Sequence, residues 1–251
     1  MKKPERRDYR NADGTRLPSV TTVIGQTLGW SKDGLIGWSY RAGVDAMAGE
    51  MAAFAADVKD TATMDLDVLA ERAKERRAHQ RQRDAAASAG TLAHAMIEAN
   101  VNGETMPTVE GVDPAVVEAA QRAFGRFLGW YVRTDPTIMA TEQALVDEER
   151  GFGGTFDAIA TLGGAVVLLD WKTGKDVYDE VVIQLGAYDH LAALRKLPAI
   201  DAAAVVNVPV DGDVQVVTVP RAQLDLGREA FFGLLAIYKN KRAMALSKGT
   251  K

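Results

Sequence analysis

No cysteine occurs anywhere in the 251 residues. Disulfides, thiolate zinc sites, iron–sulfur clusters and a cysteine nucleophile are excluded together, and the lack fits a reducing compartment. Long apolar runs are missing too. None approaches the ~18 residues of a membrane span, so no membrane partner is expected. The basic start, "MKKPERRDYRNADG", is not followed by the apolar stretch of a secretory signal. A soluble, cytoplasmic protein is the expectation. No excess of positive charge marks the chain either: the net charge is −4, which by itself does not announce a polyanionic partner.

The distribution of charge says more. Residues 2–10 hold five Lys/Arg against two acids, residues 71–84 six against three, and residues 238–251 five against none. Arg76, Arg77 and Arg81 fall in the second run. Three basic runs around a more acidic middle suit a polyanion cut at a metal site, although each run alone reads equally well as solvated surface. Apolar residues make up 47% and charged residues 25%, an ordinary globular balance with enough for a sizeable core.

Along the chain, "LPSVTTVIG" from Leu17 reads as extended, because Val and Thr are frequent and Pro18 restricts its entry. Helices are expected after Asp33, from Asp65 or Asp67 as N-cap to an interruption at Gly90, and again over "TLAHAMIEANVNG". Asp113-Pro114 opens another, closed at Thr134-Asp135-Pro136. "TIMATEQALV" alternates and reads as one strand. Two apolar runs joined by Gly163-Gly164 then form a hairpin, "DEVVIQLGAYDHLAALRKL" is helical, and Asp211-Gly212 marks a second hairpin. A terminal helix begins near Arg221. The order is helices, three strands, helix, two strands, helix: one α/β domain over 1–251, with a mainly helical N-terminal lobe (1–135) and a sheet-containing core (136–251).

The hairpin raises a chemical question, because each apolar run carries an aspartate. A two-residue turn at Gly163-Gly164 places Asp157 directly opposite Asp170 and Thr155 opposite Lys172, with opposed Cβ atoms ~4.5–5.5 Å apart. Lys172 shares the face of Asp170 because strand side chains alternate. Two facing carboxylates on an apolar hairpin repel and are costly to desolvate. A hard divalent cation, Mg²⁺ or Mn²⁺, compensates best. Lys172 beside it can orient a water, help deprotonate it or stabilise charge developing on a phosphate. The competing readings are an Asp–Lys ion pair at a strand end and a two-carboxylate glycosidase, whose retaining pair also sits ~5–5.5 Å apart.

Gly153-Gly154-Thr155-Phe156-Asp157, followed by Leu168-Leu169-Asp170-Trp171-Lys172-Thr173-Gly174, resembles the PD-(D/E)XK nuclease motif, and in particular its RecB-like exonuclease branch. "GTLAHAMIEA" resembles the upstream motif of that branch, and "QLGAYDHL" its Q-x-x-x-Y motif. The likeness runs from about Pro18 to Tyr188. It implies a restriction-endonuclease-like core, with a mixed central sheet flanked by helices, and metal-dependent hydrolysis of DNA phosphodiesters. It further implies Asp157, Asp170, His94 and the backbone carbonyl of Trp171 as metal ligands, the Trp171 indole on the opposite buried face, and Lys172 positioning the attacking water. Gln184 and Tyr188 would reach the DNA backbone or hold the Lys172 loop.

Glu142 is open between metal ligand, support to one, and surface strand residue; Glu98 between a partner of His94 and a solvated acid. His79 and His190 read as surface histidines. The four-cysteine cluster of some relatives is excluded. "GFGGTF" precedes a strand, and no G-x-x-x-x-G-K-[ST] loop occurs, so no nucleotide cofactor is expected. The expectation is an exonuclease on linear DNA, single- or double-stranded, serving phage or bacterial recombination, repair or degradation, with recombination or replication proteins as possible partners. Rivals are an endonuclease of the same fold and a catalytically silent nucleic-acid-binding module.

Overall fold

The computed structural model describes residues 8–28, 44, 78–174, 177–209 and 212–247. The chain divides into two compact units, Gly29–Ser88 and the remainder, Met1–Leu28 with Ala89–Lys251. Of the smaller unit only Val44 and residues 78–88, both helical, are described. The helix expected after Asp33, the N-cap at Asp65 or Asp67, Arg76, Arg77 and the side chains of His79 and Arg81 lie outside the described residues.

The larger unit is a mixed five-stranded sheet with helices on both faces. Its described elements are α1 (Val20–Thr27), α2 (Ala78–Asn102, which begins in the smaller unit), α3 (Pro114–Thr134), β1 (Thr137–Thr141), β2 (Ala144–Asp147), β3 (Phe152–Thr155), β4 (Ala158–Leu162), β5 (Ala165–Lys172), α4 (Glu180–Leu194), β6 (Ala202–Asn207), β7 (Gln215–Pro220) and α5 (Arg221–Ser247). The sheet order is β1-β4-β5-β6-β7, while β2 and β3 form a separate pair. All neighbours run antiparallel except β5 and β6, which α4 joins as a crossover. Leu168 and Leu169, adjacent on β5, enter opposite cores. Leu168 packs with α1, α4 and α5, and Leu169 with α2 and α3.

Local chemistry explains most boundaries. Asp113 caps α3 by accepting from Ala115 N at 2.9 Å, Pro114 is its first residue, and Asp135 ends it at φ 42°. Gly163 and Gly164 both have positive φ, the requirement of a type I′ turn, and the register runs from Leu162–Ala165 to Ala158–Leu169 as expected. The second hairpin pairs Asn207 with Gln215 and Ala202 with Pro220.

Four expectations are corrected. The segment after Leu17 is not extended beyond Ser19. Ser19 Oγ accepts the Thr22 amide at 3.0 Å and starts α1, so a cap overrides the β-propensity of Val and Thr. Gly90 does not interrupt α2, which continues through it. Residues 137–146 do not form one strand: Glu142 at φ 48° breaks them, and its amide donates to Asp157 O at 3.0 Å. The partner segment breaks in step. Thr155 therefore pairs with Ala144, not with Lys172, and β4 starts only at Ala158.

Candidate active site

The strand breaks create the site. Phe156 packs with the α1/α4/α5 core, as Ile159 does, although strict alternation would send it to the opposite face. The chain is thus kinked before β4, and Asp157 stands at the strand end rather than inside the ladder. Its Oδ2 accepts the Trp171 amide at 2.8 Å and lies 3.3 Å from His94 Nε2. Ligand atoms of His94, Glu142 and Asp157 all lie within 4.8 Å of one another. Glu142, the most ambiguous of the acids in the sequence, is thus brought to this cluster by the same break that ends β1.

Asp170 and Lys172 stand on the adjacent strand β5, beneath α4. Lys172 Nζ is 2.8 Å from Asp170 Oδ2 and donates to Oδ1 at 3.1 Å. Gln184 Nε2 donates to Asp170 Oδ1 at 3.2 Å and to Tyr188 Oη at 3.1 Å, and its Oε1 lies 3.5 Å from Lys172 Nζ. The i, i+4 spacing on α4 sets both side chains over the carboxylate. The Trp171 indole points to the other core, against Phe127 at 5.2 Å and Trp130 at 5.7 Å between ring centres. Glu98 sits one turn beyond His94 and is half-buried.

Two glycines permit these approaches. A Cβ on Gly90 would meet Thr173 Oγ1 at 2.6 Å, so Gly90 lets the segment after Lys172 lie against the helix that carries His94. A Cβ on Gly153 would meet the Tyr9 ring at 2.5 Å. That ring covers β3, and its hydroxyl pairs with Thr155 Oγ1 at 2.9 Å.

The electrostatics follow from crowding of charge. Burial lowers the His94 imidazole, but Asp157, with Glu142 and Asp170 behind it, outweighs burial and raises it to about 9. Burial also pushes Asp157 up, yet His94, the Trp171 amide and Lys172 hold it below the usual carboxylate range. Asp170 is the opposite case. Burial and the Asp157 charge raise it to about 6 against the pull of Lys172. Lys172 is lowered by burial but raised overall by Asp170 and Asp157. Burial, with both aspartates nearby, raises Tyr188 well above a free phenol.

A divalent cation fits this donor set. Imidazole with carboxylate oxygens suits Mn²⁺ and Mg²⁺. Asp170 Oδ2 is moreover a buried acceptor that, despite its ion pair, receives no well-aligned hydrogen bond.

Three features escaped the sequence reading. Tyr9 is distant in sequence, and only the glycines at 153 and 154 hinted at something pressed against that strand. His190 is not a surface histidine: its Nε2 lies 2.8 Å from Asp147 Oδ2, and its ring stacks on Phe152. Asn207 is wholly buried at the end of β6. No helix among the described residues is long and apolar enough to cross a membrane.

A family model for the PD-(D/E)XK nuclease superfamily matches residues 68–236. No curated protein matches the sequence. Among solved structures, the chain is similar to a candidate exonuclease from Eubacterium rectale, at 13% identity over 65% of this chain and 69% of that one, with a TM-score of 0.43. It is also similar to an alkaline exonuclease from Laribacter hongkongensis, at 12% identity over 61% of this chain and 84% of that one, with a TM-score of 0.33.

Proposed function

Because the chain belongs to the PD-(D/E)XK nuclease superfamily, we propose that it is a metal-dependent DNA exonuclease of the RecB-like type. We read it as one nuclease domain that hydrolyses phosphodiesters of linear DNA in phage or bacterial recombination, repair or degradation. The observation that carries the reading is the convergence of His94, Glu142 and Asp157 beside the buried Asp170–Lys172 pair.

In this reading His94, Glu142, Asp157, Asp170 and the Trp171 carbonyl hold Mg²⁺ or Mn²⁺. The bound ion supplies charge for the phosphate oxygens and lowers the pKa of a water. The protein does the rest. The Trp171 amide fixes one oxygen of Asp157. Gln184 fixes one oxygen of Asp170 while Tyr188 anchors Gln184, so the carboxylate keeps its orientation. Lys172, held charged by the aspartates, orients the attacking water and offsets charge that builds on the phosphorus-bound oxygens. That water becomes the new oxygen on phosphorus, and the released sugar oxygen takes a proton.

End-labelled linear DNA, single- and double-stranded, and covalently closed circles with Mg²⁺, Mn²⁺ or EDTA test the reading. Linear DNA should be digested from its ends only with metal, and circles spared. Rapid nicking of circles makes the enzyme an endonuclease of the same fold. Binding without any cleavage makes it a silent module.

A further inference from the structure

Asn207 is the last residue of β6 and one polar residue in the run Ala202-Ala203-Ala204-Val205-Val206-Asn207-Val208. It is 0% exposed, and neither its amide oxygen nor its amide nitrogen has a hydrogen-bond partner among the described residues. Valine would fill the place without that penalty, so a buried amide here calls for a use.

Its position supplies one. In the parallel ladder Asn207 pairs with Lys172, and Val208 N donates to Lys172 O at 2.7 Å, fixing the two residues side by side. Val206 and Val208 enter the α2/α3 core, while Val205 enters the core under α4. Alternation therefore turns Asn207 toward α4, the face that Asp170 and Lys172 share. The Lys172 ammonium has three N–H groups. In this structure Asp170 Oδ1 accepts one of them at 3.1 Å and Oδ2 lies 2.8 Å from the nitrogen, with Gln184 Oε1 only at 3.5 Å. A cation drawing on Asp170 deprives the ammonium of its acceptor just when it must be held. A second carboxylate could receive it but would also compete for the cation. A neutral amide oxygen receives an ammonium without doing so.

We propose that Asn207 is a positioning residue for Lys172, accepting its ammonium when Asp170 is engaged by the metal. The proposal rests on the role given to Lys172 above. It is tested with Asn207→Val and Asn207→Thr, which differ by one methyl against one hydroxyl. Asn207→Val should fold with an unchanged or higher Tm, bind Mn²⁺ with unchanged calorimetric Kd, and keep KM for DNA. Its kcat should fall by about 10–100-fold, the range for a residue that orients a ligand-side group. Asn207→Thr, with an acceptor returned, should recover part of kcat. Independently of turnover, the Lys172 ammonium signal in ¹⁵N NMR of the Ca²⁺-loaded protein should be protected from exchange in wild type and in Asn207→Thr, and lost in Asn207→Val.

Full activity of Asn207→Val, equal losses in both variants with an unaltered ammonium signal, or failure of Asn207→Val to fold each overturns the proposal and leaves Asn207 a packing residue. A wild-type chain without nuclease activity, whose Lys172 signal still depends on Asn207, sinks the nuclease reading and keeps this one. A Lys172-dependent nuclease indifferent to Asn207 does the reverse.

Discussion

Two Asp–His pairs lie among the described residues, and they are built to opposite plans. His190 and Asp147 join α4 to the end of β2 at 2.8 Å, and the pair is complete. The Arg150 amide donates to Asp147 Oδ1 at 2.8 Å, the Arg150 guanidinium lies 3.4 Å from Oδ2, and Phe152 and Phe232 enclose the imidazole. One carboxylate thus meets one arginine and one imidazole. His94 and Asp157 are farther apart, at 3.3 Å, and are joined by Glu142 and Asp170. Among the described residues there, three acids, Glu142, Asp157 and Asp170, meet His94 and Lys172. Burial is common to both pairs and decides nothing. A structural pair is balanced and saturated, whereas a pair that awaits a cation carries surplus negative charge and an acceptor left over.

The sharpest way to break the comparison is to remove the surplus. Asp157→Asn and Asp170→Asn should each abolish metal-dependent cleavage while the circular dichroism stays native. Near-normal turnover by either would remove that aspartate from the metal site. Lys172→Ala comes next, with a rate loss on the order of 10²–10³, the effect of one electrostatic stabiliser. Calorimetry should show Mn²⁺ binding retained; its abolition would make Lys172 a structural partner only.

At the other pair, Asp147→Ala should leave kcat per folded molecule unchanged and lower stability by about 1–3 kcal/mol, through the donors it strands. Burial raises Asp147, but the Arg150 amide and His190 hold it below its ordinary value of 3.8. Its stabilisation is therefore full above about pH 4 and drains away as pH falls through the depressed value. Wild type should lose stability in that acid range, and Asp147→Ala should lose less. A drop in kcat would mean the two pairs are coupled.

The smallest effect is expected at Gly90. Alanine improves helix propensity by about 1 kcal/mol but drives a Cβ to 2.6 Å from Thr173 Oγ1. Stability should change little and activity fall a few-fold, with recovery in the Gly90→Ala, Thr173→Ala double variant. Without recovery, contact with Thr173 is not the reason for the glycine.

What the sequence disclosed and what it hid divide by range. Gly163-Gly164 gave the β4–β5 register, because a two-residue turn leaves no freedom in pairing. Asp113-Pro114 likewise acts on its nearest neighbours, while Asp211 lies outside the described residues. The motifs led to His94, Asp157, Asp170, Lys172, Gln184 and Tyr188, which the fold brings to one place. The break at Glu142 was illegible, since a non-glycine residue at positive φ announces itself only when its amide finds Asp157 across the chain. The misreading of His190 has the same origin: Asp147 lies 43 positions away, and nothing around either residue announces the other.

The two longest side-chain reaches among the described residues bear on the order in which the fold closes. Tyr9 meets Thr155 across 146 positions, and Lys241 Nζ donates to Gln26 O across 215. Contacts of such separation close late, because the entropy of the intervening chain is lost before the contact repays it. Tyr9 leaves the ribosome well before β3, on which its ring lies, and Gln26 well before Lys241. The contact between α1 and α5 is therefore made only after every carboxylate of the cluster has emerged. The clasp between α1 and α5, not the motif residues, is thus the last of these pieces to be threaded.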